Sequence, residues 1–166
     1  MVTIIDGRNL IHGRLASVVA ERIMNGEEIV VVNAEAIVIT GVKENTFADF
    51  KAKVDRGDTT KRKGPFYPRR ADLLFKRCVR GMIPWTTTSG RDAYRRLHVF
   101  VGTPKQFEDC EKERPAEANR KITGKYTTLG AVSKFLGANV RCSHGRVRKH
   151  KRKEEDRHRQ GCCQRG

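Results

Sequence analysis

A short, nearly continuous apolar run near the N-terminus constrains the fold of this chain most strongly. Residues 28–33 read Glu-Ile-Val-Val-Val-Asn, without the polar-apolar alternation of a half-buried strand. Such a run is typical of a strand buried on both faces of a parallel sheet. An apolar strand at 2–5 and an amphipathic helix from about Arg14 precede it, and strand-like segments follow at 36–40 and 97–101. This alternation of strands and helices predicts an α/β domain with a parallel sheet.

The charge of the chain is unevenly distributed. Its 166 residues carry 35 Lys and Arg against 19 Asp and Glu, a formal net charge of +16. Residues 1–50 hold 4 basic and 7 acidic side chains, whereas residues 51–80 hold 11 and 3, and residues 141–166 hold 10 and 3. Concentrated basic segments are the electrostatic footprint of a nucleic-acid-binding protein. The alternative is a solvated basic surface that serves solubility.

A predicted loop at residues 56–71 combines basic and aromatic side chains. It contains two Gly and two Pro, which break any regular element. Phe66 and Tyr67 stand between its basic clusters, an interleaving that suits phosphate contact combined with base stacking. The alternative is a loop whose aromatic side chains simply pack on the domain. The predicted RNA-contacting residues of the loop are Lys61, Arg62, Lys63, Arg69 and Arg70.

The helix predicted from Asp72 to about Ile83 has one apolar and one basic face. Its apolar face comprises Leu74, Phe75, Cys78, Val79, Met82 and Ile83, at helical spacing. The basic face comprises Lys76, Arg77 and Arg80, with no acidic residue beside them. Like charges at this spacing cost an isolated helix a few tenths of a kcal/mol per pair. A phosphate backbone would turn that repulsion into attraction, so we predict that this face contacts a nucleic acid.

Further cationic residues flank other predicted helices. Arg8, His12 and Arg14 lie near the N-terminus of the first helix, which by itself favours anions. Ser89 and Asp92 have the spacing of an N-terminal cap and predict the start of another short helix. The remaining predicted RNA contacts in the domain are Trp85, Arg91, Arg95, Arg96 and Lys125.

The end of the chain differs in composition from the rest. From Arg141 onward it holds one aliphatic residue, Val147, and cannot bury enough apolar surface to fold alone. We therefore expect residues 1–140 to form the α/β domain and residues 141–166 to be a basic tail that is disordered unless RNA is bound. The predicted RNA contacts of the tail are Arg141, Arg146, Arg148, Lys149, Lys151, Arg152 and Lys153.

No pattern in the sequence indicates catalysis or a metal site. The segment 6–13 lies where dinucleotide-binding folds place G-x-G-x-x-G, but it lacks the middle glycine, and no P-loop pattern is present. Five irregularly spaced cysteines without a C-x2-C pair predict reduced thiols rather than zinc ligands. No apolar run approaches the ~20 residues of a membrane span. We expect no enzyme activity, cofactor, metal, membrane or small-molecule substrate.

Four motifs occur in the order that one protein family has them. They are Asp6-Gly-Arg followed by His12-Gly-Arg-Leu-Ala16, then Lys63-Gly-Pro65 with Arg69, then Arg80-Gly-Met-Ile-Pro84 with residues 89–102, and finally Tyr126-Thr-Thr-Leu-Gly130 to Gly137. Together they resemble the signatures of universal large-subunit ribosomal protein thirteen in its archaeal and eukaryotic form. The resemblance covers about residues 2–138.

This resemblance implies both a fold and a function. The implied fold is a three-layer α/β/α domain around a parallel four-stranded sheet, here followed by a basic C-terminal extension. The implied function is that of a structural constituent of the large ribosomal subunit, which binds and stabilises rRNA and supports assembly and translation. The RNA-facing residues of the family map onto Arg8, His12, Arg14, the 61–70 loop, Arg77, Arg80, Arg91, Arg95 and Arg96.

The expected partners are large-subunit rRNA and neighbouring large-subunit proteins, with phosphate contacts dominating and little readout of bases. The expected location is the cytosol, with a nucleolar stage during assembly if the source is eukaryotic. An alternative function is that of a free RNA-binding translational regulator, because such a protein would share every electrostatic feature described above.

Overall fold

Five strands and five helices make up the part of the chain that the computed structural model describes, residues 2–57, 60 and 63–138. In chain order they are β1 (Val2–Asp6), α1 (His12–Met24), β2 (Glu28–Val32), β3 (Val38–Thr40), α2 (Lys43–Asp55), α3 (Ala71–Met82), α4 (Thr88–Arg95), β4 (Leu97–Val99), β5 (Tyr126–Thr128) and α5 (Leu129–Phe135). Two 3-10 turns, Ala34–Ala36 and Lys105–Phe107, lie between them.

Three parallel strands form the central sheet, in the order β1-β2-β4. Ile4 of β1 is opposite Val30 of β2, and Val30 is in turn opposite His98 of β4. As the middle strand, β2 has buried side chains along residues 29–32, which explains its continuous apolar sequence. The predicted α/β architecture with a parallel sheet is therefore confirmed.

The expected fourth parallel strand is not confirmed. β3 pairs antiparallel with β5 in a separate two-stranded sheet, with Ile39 opposite Thr127. Only a 3-10 turn separates β2 from β3, whereas parallel neighbours need a crossover of about a dozen residues or more. At the β1 edge of the central sheet, Glu113 forms a single parallel bridge with Ile5.

The core lies where α1 and α3 pack together and against the sheet. Leu15, Val19 and Ile23 of α1 are fully buried, as their helical spacing predicts. Phe75 of α3 is also fully buried. Met82 was predicted to share this buried face, but it is 45% exposed because it is the last residue of α3.

Local capping residues set the ends of two helices. Thr128 Oγ1 accepts a hydrogen bond from the Ala131 amide and so caps the start of α5. At the start of α4, Thr87 Oγ1 accepts from the Gly90 amide, so the cap predicted at Ser89 is wrong. The start of α4 also packs closely on Pro84, whose carbonyl oxygen a Cβ at position 90 would overlap, so this position requires glycine.

Candidate nucleic-acid interface

A groove of about 540 Å³ beside the start of α1 gathers cationic side chains from distant parts of the sequence. We call it the basic groove; its charged residues are Arg14, Arg120, Lys121 and Lys125. All four are exposed. None of the lining residues, all of which belong to the described part of the chain, is acidic. The groove therefore presents an uncompensated positive surface that suits a polyanion.

Backbone hydrogen bonds bring the two sides of the basic groove together. The Ile11 amide donates to the Ala118 carbonyl oxygen at 3.1 Å, and the Gly41 amide donates to the Lys125 carbonyl oxygen at 2.9 Å. The first bond holds the long connection between β4 and β5 against the start of α1, and the second holds its end against the turn between β3 and α2. The sequence predictions included Arg14 and Lys125 but missed Arg120 and Lys121. Their adjacency just before Lys125 was the only local signal, and it did not reveal their proximity to Arg14.

His12, a predicted RNA contact, adds no positive charge near the basic groove at neutral pH. Its ring is half-buried and meets the Phe75 ring edge-on, with 5.6 Å between centroids. Burial, with a smaller contribution from the charge of Lys53, lowers the pKa of His12 to about 4. Of the three residues predicted as RNA contacts at this helix start, only Arg8 and Arg14 are exposed, and their contact with RNA stays a prediction.

Two residues of the basic face of α3 differ in their surroundings: one faces solvent, and the other is hydrogen-bonded within the domain. Arg77 is exposed. Lys76 is half-buried, and its Nζ donates to the Leu97 carbonyl oxygen at 2.8 Å and lies 4.9 Å from the centroid of the Tyr94 ring. Burial lowers the pKa of Lys76, an effect that the charge of Asp72 opposes. Lys76 thus caps the open edge of β4, a structural role that the sequence did not reveal.

Arg80 and Trp85, predicted separately as RNA contacts, lie against each other. The guanidinium carbon of Arg80 is 4.1 Å from the centroid of the Trp85 ring. The Trp85 ring meets the Tyr94 ring edge-on at 5.1 Å. Stacking on an aromatic face orients the Arg guanidinium and leaves the donors on its rim available for phosphate oxygens. The arrangement therefore holds Arg80 in place at the junction of α3 and α4.

The other predicted cations differ in the hydrogen bonds and ion pairs that they form within the protein. Arg96 donates to the Ile23 carbonyl oxygen at 3.0 Å, next to the end of α1, which indicates a structural role. Arg70 makes two hydrogen bonds to Asp72, at 3.1 and 2.7 Å. Arg95 forms an ion pair with Asp92 on the surface, an interaction that contributes little to stability. The predicted contacts Lys63, Arg69 and Arg91 are exposed.

Several predicted contacts lie outside the described residues. They are Lys61, Arg62, Arg141, Arg146, Arg148, Lys149, Lys151, Arg152 and Lys153. The cysteines at 142, 162 and 163 lie outside them as well. Within the described residues, no group of three His, Cys, Asp or Glu side chains is arranged to hold a metal ion. None of the described helices has the length and apolar character needed to cross a membrane.

The carboxyl ends of the parallel strands, where α/β proteins usually bind ligands, carry side chains that bind one another. The carboxylate of the buried Asp6 accepts hydrogen bonds from Asn33 Nδ2 at 2.8 Å and from the Arg114 guanidinium at 2.6 Å. Thr103 Oγ1 donates to Asn33 Oδ1 at 3.1 Å. Burial alone would raise the pKa of Asp6, but the hydrogen bonds hold it below its ordinary value. This network links the ends of β1 and β2 to the connection between β4 and β5, which contains Thr103 and Arg114.

Comparisons with known proteins show what the chain is similar to. A family model described as ribosomal protein L13 matches residues 1–106. The large ribosomal subunit protein uL13 of Methanopyrus kandleri is 50% identical over 139 residues, covering 81% of this chain and 86% of that relative. Its counterpart in Archaeoglobus fulgidus is 51% identical over 138 residues, covering 81% and 87%. That of Methanosphaera stadtmanae is 49% identical over 140 residues, covering 83% and 99%.

Proposed function

The chain belongs to the ribosomal protein L13 family, and from this premise we propose that it is a constituent of the large ribosomal subunit that binds rRNA. Its role is structural rather than enzymatic. The observation that carries the rRNA-binding proposal is the basic groove, where Arg14, Arg120, Lys121 and Lys125 form one surface without an acidic residue. These cations come from two parts of the chain that are about a hundred residues apart, so the fold itself assembles the positive patch.

Phosphate contacts account for most of the proposed binding. Exposed Lys and Arg side chains neutralise phosphates and release counterions, which stabilises the complex without reading sequence. Beyond the basic groove, the residues best placed for this role are Arg8, Lys63, Arg69, Arg77, Arg80 and Arg91. Through these contacts the protein would stabilise folded rRNA during subunit assembly and translation in the cytoplasm, beside neighbouring large-subunit proteins.

Sedimentation tests this proposal. Tagged full-length protein, expressed in cells and separated on a sucrose gradient, should migrate with large-subunit rRNA and in a constant ratio to it. A protein that remains at the top of the gradient would contradict the proposal. Migration with varied RNAs in a variable ratio would instead support a free RNA-binding regulator.

A further inference from the structure

Two adjoining cavities lie between the C-terminal half of α2, the loop at residues 63–70 and the end of α5. Their volumes are about 350 and 270 Å³, and they share Val54, Asp55 and Arg69 as lining residues. Phe66 borders the larger cavity and Phe135 the smaller. We call them the paired cavities. They share no lining residue with the basic groove.

Each of the paired cavities is bordered by an aromatic ring that is open to solvent. Phe66 is 62% exposed and Phe135 is 49% exposed. The Phe135 ring is stacked on Phe47, with 4.5 Å between centroids and 13° between planes. Lys43 Nζ in turn lies 5.3 Å from the centroid of the Phe47 ring. The stack fixes the orientation of the Phe135 ring, and a fixed, exposed aromatic ring is a platform for a planar ligand such as a nucleobase.

The charged residues of the paired cavities suit a nucleotide better than an apolar peptide. Arg69 borders both cavities and Lys51 borders the smaller, so a cation lies near each ring. Asp55, which also borders both, is their one acidic lining residue in the described chain. A carboxylate accepts hydrogen bonds only. Of the RNA bases, guanine presents two neighbouring N–H donors, N1–H and the N2 amino group, which match the two carboxylate oxygens.

We propose that the paired cavities bind unpaired nucleobases of RNA, one against Phe66 and one against Phe135. Asp55 accepts hydrogen bonds from a guanine in either cavity, while Lys51 and Arg69 contact the adjoining phosphates. The inference rests on the proposed function, because it takes RNA as the ligand. It goes beyond that function by adding base contacts, and a preference for guanine, to a protein whose other contacts are to phosphate.

Binding of short RNAs to the full-length protein tests the inference. The probes are a single-stranded uridine tract containing two guanosines, the same strand with inosine in place of guanosine, and an RNA duplex of equal length. Inosine lacks only the N2 amino group, so the wild type should bind the guanosine strand more tightly. Phe66→Ala and Phe135→Ala should each weaken binding to the guanosine strand roughly fivefold or more, because each removes a stacking partner. Neither should change binding to the duplex.

Two further variants separate base recognition from folding. Asp55→Asn should abolish the difference between guanosine and inosine strands, since it replaces one of the two acceptor oxygens with an NH2 donor that would face an N–H donor of guanine. Phe135→Leu keeps an apolar side chain packed on Phe47 but removes the ring, so it should lose single-strand affinity while retaining the thermal unfolding midpoint. Leu73→Ala is the control, because Leu73 is similarly exposed, at 45%, but lies outside the paired cavities.

The outcomes distinguish this inference from the proposed function. If Phe66→Ala and Phe135→Leu bind the guanosine strand as the wild type does, the paired cavities do not bind bases and the inference is wrong. If the wild type binds neither single strands nor duplex in a salt-sensitive way, the proposed function fails, and the inference fails with it.

Discussion

At the scale of single residues, two adjacent cations of α3 have different tasks. Lys76 caps the carbonyl oxygen of Leu97, whereas Arg77 faces solvent. We predict that Lys76→Ala lowers the free energy of unfolding by about 1.5 kcal/mol, because a hydrogen bond from a charged donor is lost. Arg77→Ala should change stability by less than about 0.5 kcal/mol. Urea unfolding of both variants measures the difference.

The two variants should differ in the opposite way in their affinity for RNA. Arg77→Ala should weaken binding to RNA, whereas Lys76→Ala should leave it nearly unchanged under conditions in which the variant is folded. If Lys76→Ala is as stable as the wild type and binds RNA poorly, Lys76 contacts phosphate rather than capping the sheet edge.

His12 gives the stability of the domain a defined dependence on pH. Its pKa in the folded state is about 4, below the ordinary value of 6.5, so folding favours the neutral ring. The unfolded chain binds the proton more readily, and stability must therefore fall as the pH drops from about 6.5 towards 4. Urea unfolding across this range should show the decline, and His12→Phe should reduce it. An NMR titration that places the pKa of His12 near 6.5 would contradict the prediction.

At the scale of elements, the start of α4 depends on Thr87. Its Oγ1 accepts a hydrogen bond from the Gly90 amide at 3.2 Å. Thr87→Ala should therefore cost about 1 kcal/mol of stability, a typical value for loss of an N-terminal cap. Ser89→Ala is the matched control, because Ser89 is exposed and should change stability by less than about 0.5 kcal/mol. Thermal unfolding measures the stability of the two variants. A larger loss of stability for Ser89→Ala than for Thr87→Ala would show that Ser89 caps the helix.

The elements that could be predicted from the sequence are those whose own residues show a hydrophobic pattern typical of a helix or a buried strand. The amphipathic helix predicted from about Arg14 is observed as α1, His12–Met24, and the buried character of β2 follows from its apolar run. The pairing of β3 with β5 could not be predicted, because both strands are three residues long and far apart in the chain. Arg14 and Arg120 are likewise far apart in the chain, so no local pattern indicates that they lie near each other. The structural role of Lys76 could not be predicted either, because its hydrogen bond joins α3 to β4 and a charge pattern does not show contacts between elements.

At the scale of the whole molecule, RNA affinity should depend steeply on salt. Each phosphate contact contributes about −0.7 to −0.9 to the slope of log affinity against log salt concentration. The double variant Arg120→Ala/Lys121→Ala should therefore make the slope shallower by roughly 1.4 to 1.8. Lys105→Ala/Lys112→Ala is the control, since these lysines occupy the same connection but do not line the basic groove. Equal slopes for the two double variants would show that the basic groove does not contact RNA phosphates.

The hydrogen bond between Ile11 and the Ala118 carbonyl oxygen has a consequence for biosynthesis. Arg14 is translated early, but the other charged residues of the basic groove, Arg120, Lys121 and Lys125, are translated about a hundred residues later. A nascent chain therefore cannot complete the groove until residue 125 has left the exit tunnel. The surface that would hold RNA tightly is thus absent while most of the chain is being made, when the translating ribosome is the nearest RNA.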